Sequence, residues 1–92
     1  MKESRIENKL KKEVKKIGGK ALKFVSPGMS GVPDRIVLLP HGRIVFVELK
    51  APGEGLRKLQ EYRAKELRAL GFRVECIDSI EKVEEFIEGL NV

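Results

Sequence analysis

The chain has a single cysteine, Cys76, and no apolar run approaching the ~18 residues that a membrane-spanning helix requires. One cysteine can form neither an internal disulfide framework nor, alone, a thiolate metal centre. Its scarcity suits a reducing, intracellular setting. The start of the chain (Met1, Lys2, Glu3, Ser4, Arg5) leads into charged sequence instead of an apolar stretch, so no secretory signal is expected. A soluble, cytoplasmic protein with no membrane partner is the expectation. Aromatic residues make up only 5% of the chain, and Tyr62 and Phe72 are too few to build a platform on which bases stack. Asn and Gln are scarce beside abundant Lys and Glu, a balance seen in thermally adapted proteins.

What is present is charge and one core's worth of apolar residues. The 92 residues allow one domain, spanning 1–92, with a thin stability margin that oligomerisation would supplement. Charged residues are 36% of the chain and the net charge is +5. The charge is uneven: residues 1–24 carry nine Lys/Arg against three Glu, whereas residues 71–92 carry two basic and six acidic groups. One end is suited to meet a polyanion. The candidate surface is Lys9, Lys11, Lys12, Lys15, Lys16 and Lys20, although a lysine-rich helix is also a common solvated face.

Ile6, Leu10, Val14 and Ile17 recur at helical spacing over about residues 2–16, and Gly18-Gly19 ends the segment. Ala21–Val25 reads as a short strand, followed by a Ser-, Pro- and Gly-rich loop from Ser26 of flexible composition. Arg35–Leu39 and Ile44–Lys50 are β-rich runs around Pro40-His41-Gly42. A second helix is expected from Leu56 to Leu70 with Leu56, Leu59, Leu67 and Leu70 inward. A strand follows at Phe72–Ile77, with Cys76 as a small core residue. A last helix follows, introduced by an Asp78/Glu81 capping box and buried through Ile80, Val83, Phe86, Ile87 and Leu90. The order α-β-β-β-α-β-α, with central strands apolar on both faces, predicts an α/β domain whose mixed sheet is covered by helices on both sides.

The turn between the two central strands carries the functional argument. A three-residue Pro-His-Gly loop, with glycine in the left-handed position, pairs Leu39 with Arg43 and sets Asp34 opposite Glu48. Opposed residues share a face, with Cβ atoms about 4.5–5.5 Å apart. A two-residue loop would place the carboxylates on opposite faces. Two like charges so placed repel, and a divalent cation between them converts repulsion into binding. Lys50, two residues after Glu48, projects to the same face. Phosphodiester hydrolysis needs an activated water and positive charge near the reacting phosphorus. Asp34, Glu48 and the Leu49 carbonyl would hold the cation, while Lys50 would orient the water or stabilise the transition state. Glu48 and Lys50 also interrupt an apolar run, where charge is costly unless paired or ligated.

Pro33-Asp34 before Arg35-Ile-Val-Leu-Leu, followed by Val45-Phe-Val-Glu48-Leu-Lys50, resembles the signature of the PD-(D/E)XK nuclease superfamily, and most closely a stand-alone VRR-NUC domain. The resemblance runs from Ile6-Glu7 to the last helix. It implies a restriction-endonuclease-like α-β-β-β-α-β core, Mg²⁺ or Mn²⁺ dependence and cleavage of DNA. It also implies homodimers that act on branched DNA such as four-way junctions, and a bacterial, archaeal or phage origin. Gln60 matches the family's glutamine in the following helix, where its amide would orient Lys50 or touch a phosphate. Glu7 matches an acidic residue of the first helix and lies on the stripe of Leu10 and Val14, placing it to reach the metal through water. Ser26 and Ser30, in the loop beside Asp34, are candidate contacts to the DNA backbone. Arg35 points away from Asp34 in this register, and His41 falls on the hairpin tip.

Two other functions fit parts of this pattern. One is a nucleic-acid-binding module without turnover, which has no need of Asp34, Glu48 and Lys50 together. The other is a nuclease subunit that takes its specificity from a partner in a larger repair or replication assembly.

Overall fold

The computed structural model describes residues 3–90. Its elements are α1 (Glu3–Lys16), β1 (Lys20–Lys23), β2 (Arg35–Leu39), β3 (Arg43–Leu49), α2 (Lys58–Ala69), β4 (Arg73–Ile77) and α3 (Ile80–Glu88), with one 3-10 turn at Pro40–Gly42. The strands form one sheet in the order β1-β2-β3-β4, antiparallel up to β3 and parallel from β3 to β4. This is the expected mixed α/β architecture, and α2 provides the crossover that a parallel β3–β4 pair requires.

The hairpin register is the expected one: Leu39 faces Arg43 and the ladder continues to Arg35 and Val47. The turn itself differs from a simple type I turn with a single left-handed glycine. His41 (φ 67°) and Gly42 (φ 72°) are both left-handed, so a residue with a side chain takes an uncommon conformation at the exposed tip.

One face of the sheet is fully covered. Ile6, Leu10 and Val14 of α1 and Val83 and Phe86 of α3 pack on Val37, Leu39, Val45, Val47, Leu49 and Ile77. Glu3 in the first turn of α1 and Lys15 and Lys16 in its last turn complement the helix dipole. The cap of α3 is Ser79, whose hydroxyl accepts the Lys82 N–H at 3.0 Å, not Asp78 as the capping-box spacing suggested; Asp78 pairs with the Lys82 ammonium instead.

The other face is covered by α2 alone. Its core is small: Phe46, Ala64 and Val74, with Phe24, Ile36 and Leu67 packed around them. Phe46 stacks at a tilt on Phe24 (5.6 Å) and edge-on with Phe72 (5.5 Å). Of the leucines expected to bury α2, Leu67 packs on the sheet, Leu56 precedes the helix, and Leu59 and Leu70 do not turn inward. Leu59 is 44% and Leu70 74% exposed, while Ala64 is the buried contact. A small residue lets the helix lie close to the sheet, and the helix settles about that contact. Leu22, Ile44 and Phe72 on this side are left partly open to solvent.

Candidate active site

The site lies where β2 begins and β3 ends, on the α2 face. Pro33 is buried and directs the chain into β2, and the Asp34 carbonyl accepts the Phe24 N–H at 2.9 Å. Asp34 stands one residue beyond the Arg35–Val47 pair, the position across from Glu48. Its Oδ1 accepts the Leu49 N–H at 3.0 Å, which fixes the carboxylate against the end of β3. In a strand the N–H and C=O of one residue face the same neighbour, so the Leu49 carbonyl turns to this edge as well. The next backbone N–H, of Lys50, turns the other way to the Ile77 carbonyl of β4 (3.0 Å).

Glu48 and Lys50 are only 7% and 8% exposed. Burial, and then the negative charge of Asp34, push the Glu48 carboxyl up to about 7, while Lys50 and the Asp34 backbone N–H oppose the shift. Burial also raises the Asp34 carboxyl above its ordinary value, against the pull of the Leu49 N–H. The negative charge of Asp34 disfavours the ionisation of Glu48, while burial is the main cause of the Asp34 shift. The pair offers hard oxygen donors of the kind a divalent cation takes.

Gln60 reaches this pair from the first turn of α2. Its Oε1 accepts the Arg57 N–H at 2.9 Å, and its Nε2 donates to Glu48 Oε2 at 3.4 Å. Because the amide oxygen is held by the helix start, the NH₂ must face the carboxylate. Gln60 therefore touches Glu48, whereas the sequence suggested contact with Lys50 or phosphate.

The loop before Asp34 forms the opposite wall of a cleft of about 320 Å³ whose lining includes Ser30, Gly31, Arg57 and Gln60 around the two acids. The loop is docked, not loose: Arg63 Nε donates to the Ser30 carbonyl at 3.0 Å. Gly31 lies at φ 84°, and a Cβ there would come within 2.6 Å of Leu59. Leu59 thus packs on the loop instead of on the sheet. Ser30 lines the cleft; Ser26 accepts the Met29 N–H through its carbonyl, in a local turn, and is not among the cleft residues.

Glu7 is placed differently from the pair. Its carboxylate is engaged by Arg35, which is 4% exposed on the α1 face. Arg35 also reaches the Ala21 carbonyl, at 3.5 Å. The negative charge of Glu7 raises the Asp34 carboxyl slightly, so it stands behind the site. Among the described residues no three His, Cys, Asp or Glu side chains converge as a metal-binding group. The donor set is the Asp34–Glu48 pair. The Arg35–Glu7 ion pair was missed from sequence; the available signal was an arginine opening an apolar strand while a glutamate sat on the buried stripe of α1.

The lysines of α1 belong to the opposite layer. Lys9 pairs with Glu13 and Glu84, and Lys16 with Glu13, while Lys11, Lys12, Lys15 and Lys20 are exposed. Cys76 is partly buried on β4 directly beside Glu48 in the register, and burial raises its thiol pKa. No helix among the described residues is long and apolar enough to cross a membrane.

Paired oxygen donors beside a buried ammonium, at the open end of a small mixed sheet, define a nuclease domain. Comparison with known proteins narrows the class. The chain belongs to the VRR-NUC family, whose domain model matches residues 1–80. It is 54% identical over 79 residues to a protein named "Putative nuclease p44" of Acyrthosiphon pisum secondary endosymbiont phage 1, covering 86% of this chain and 85% of that protein. A solved structure described as a VRR-NUC domain superposes with a TM-score of 0.89 at 31% identity, over 96% of each chain.

Proposed function

We propose that this nuclease-family domain is a metal-dependent DNA endonuclease, working with Mg²⁺ or Mn²⁺ and selective for branched DNA such as four-way junctions. The observation that carries the reading is the cross-strand pair of half-buried Asp34 and buried Glu48, with Glu48 raised to about 7. Same-sign groups held in this way gain from a shared divalent ion and from little else. The donors fit such an ion: Asp34 keeps one oxygen beyond its bond to Leu49, Glu48 offers its carboxylate, and the Leu49 carbonyl faces the same edge.

When bound, the cation supplies Lewis acidity and a low-pKa water for attack on phosphorus. Lys50 places a buried positive charge beside Glu48, where it orients the attacking water and stabilises charge developing on the phosphate oxygens. Gln60 holds the Glu48 carboxylate in one orientation, a supporting role of the kind that keeps metal ligands productive. Glu7 acts from behind, by holding Arg35 and adding negative potential at Asp34. Ser30 and the loop amides are placed to meet the sugar-phosphate backbone. The exposed lysines of α1, on the far layer, add general attraction for DNA that weakens with salt. A homodimer would present two such clefts and let their spacing select a junction over a linear duplex.

The test compares cleavage of a four-way junction, a flap and a linear duplex of matched sequence, with Mg²⁺ and with EDTA, using Asp34→Ala as control. Cutting of the junction alone, lost in EDTA and in the variant, supports the full reading. Equal cutting of all three keeps the chemistry and removes the selectivity. Binding without cutting under any divalent metal replaces the enzyme with a binding module.

A further inference from the structure

We propose that Arg57 grips the DNA phosphate next to the scissile one, in the cleft that it lines together with Asp34 and Glu48. The inference rests on the endonuclease reading for its substrate, and on separate observations for its residue and place.

The place follows from what lines the cleft. Its lining brings Ser30 and Gly31 of the loop together with Arg57 and Gln60 of the α2 start, around Asp34 and Glu48. A phosphodiester that reaches the two acids enters this cleft and so comes beside Arg57. Both segments are set before DNA arrives. Arg63 holds the Ser30 carbonyl at 3.0 Å, and Gln60 holds the Arg57 N–H at 2.9 Å. The side chain that orients Glu48 therefore also fixes the backbone of Arg57, and the distance from Arg57 to the acids is set by one amide group.

Charge singles out Arg57 among the cations near the cleft. Lys50 is buried against Glu48, and Arg63 is already paired with Glu66 at 2.8 Å. Arg57 is exposed and, among the described residues, has no carboxylate within ion-pair distance, yet it lines the cleft. The α1 lysines lie beyond the sheet, with Lys9 and Lys16 tied to Glu13 and Glu84. An arginine fork suits a phosphate because it donates two parallel hydrogen bonds to one anion. At this position it also offsets the negative potential that Asp34 and Glu48 present to an approaching phosphate. Its role is to position substrate, since its contact is with a phosphate that does not react.

The test measures binding of a fluorescently labelled four-way junction and a matched duplex by anisotropy in Ca²⁺, from about 50 to 200 mM KCl, with cleavage followed separately in Mg²⁺. Arg57→Ala is expected to weaken binding about tenfold and to lower the slope of log Kd against log salt by about 1. Its kcat at saturating DNA should stay within about threefold of wild type while KM rises, the mark of a lost positioning contact. Arg57→Lys should retain the slope, and thermal melting of both variants should match wild type. Lys12→Ala and Lys15→Ala, which remove only general attraction, should each weaken binding and raise KM by less than Arg57→Ala does. Unchanged affinity and slope in Arg57→Ala, or the whole effect appearing in the α1 variants, would overturn the proposal. So would loss of kcat with binding intact, which would make Arg57 a catalytic group. Failure of wild-type protein to cut in Mg²⁺ or Mn²⁺ would sink the nuclease reading, while the salt slope would still decide Arg57.

Discussion

The two faces of the sheet bury charge in opposite ways. On the α1 and α3 face the buried charge is Arg35, and a carboxylate from α1, Glu7, lies against it. On the α2 face the buried groups are Glu48 and Lys50, with Asp34 adding a second negative charge next to the first. The first arrangement satisfies itself within the fold. The second leaves two acids both raised by burial, Glu48 further by the charge of Asp34, with an amide and one ammonium beside Glu48 to moderate it. The packing differs in the same sense: Val37 and Val47 on the first face are fully buried, whereas Ile44 and Phe72 on the second are partly open. Stability is concentrated on one side of the sheet, and chemistry on the side that can be reached.

Substitutions should separate the faces cleanly. The largest effect is expected from Asp34→Ala: cleavage in Mg²⁺ should fall about a thousandfold, with the fold retained by circular dichroism. Next comes Glu7→Ala, which leaves Arg35 buried without its partner and should cost about 3 kcal/mol in urea unfolding. If Glu7→Ala spares stability but removes cleavage, the contrast between faces fails and Glu7 belongs to the metal site.

The pH dependence of the metal-free protein is the third measurement. Glu48 titrates near 7 when folded against about 4.5 in a free chain, so the folded state binds more protons in between. Stability in EDTA should therefore fall as pH rises from about 4.5 to about 7 and then level off. Glu48→Gln should flatten that slope and melt higher than wild type at pH 8, by about 1–3 kcal/mol. Asp34→Asn should likewise raise the metal-free melting temperature, because its oxygen still accepts the Leu49 N–H while the repulsion is gone. A metal-free wild type that is equally stable across this range would undo the close-carboxylate argument.

The smallest effect is expected at the join between α2 and the site. Gln60→Ala should lower activity about tenfold through the freed Glu48 carboxylate and cost about 1 kcal/mol at the helix start. A loss as large as that of Asp34→Ala would place Gln60 among the reacting groups.

Much of this was legible in the residues themselves, and the reason is locality. The stripe of Ile6, Leu10 and Val14 states which side of α1 is buried, because a helix repeats every 3.6 residues. The three-residue turn sets the β2–β3 register, and a strand's period of two then carries Asp34 to Glu48 and Lys50 to the same face. These inferences span a single element or one tight hairpin. What the tertiary structure alone decided involves groups far apart along the chain. Arg35 meets Glu7 across 28 residues and Arg63 meets Ser30 across 33, and neither spacing has a period to reveal it. The inward face of α2 was open for the same kind of reason. Its leucines suggested one stripe, but the sheet beneath takes Ala64, and Leu59 is drawn to Gly31 of the loop instead. Periodicity states that a helix has an apolar side; how closely it can approach its neighbour selects which residues face inward.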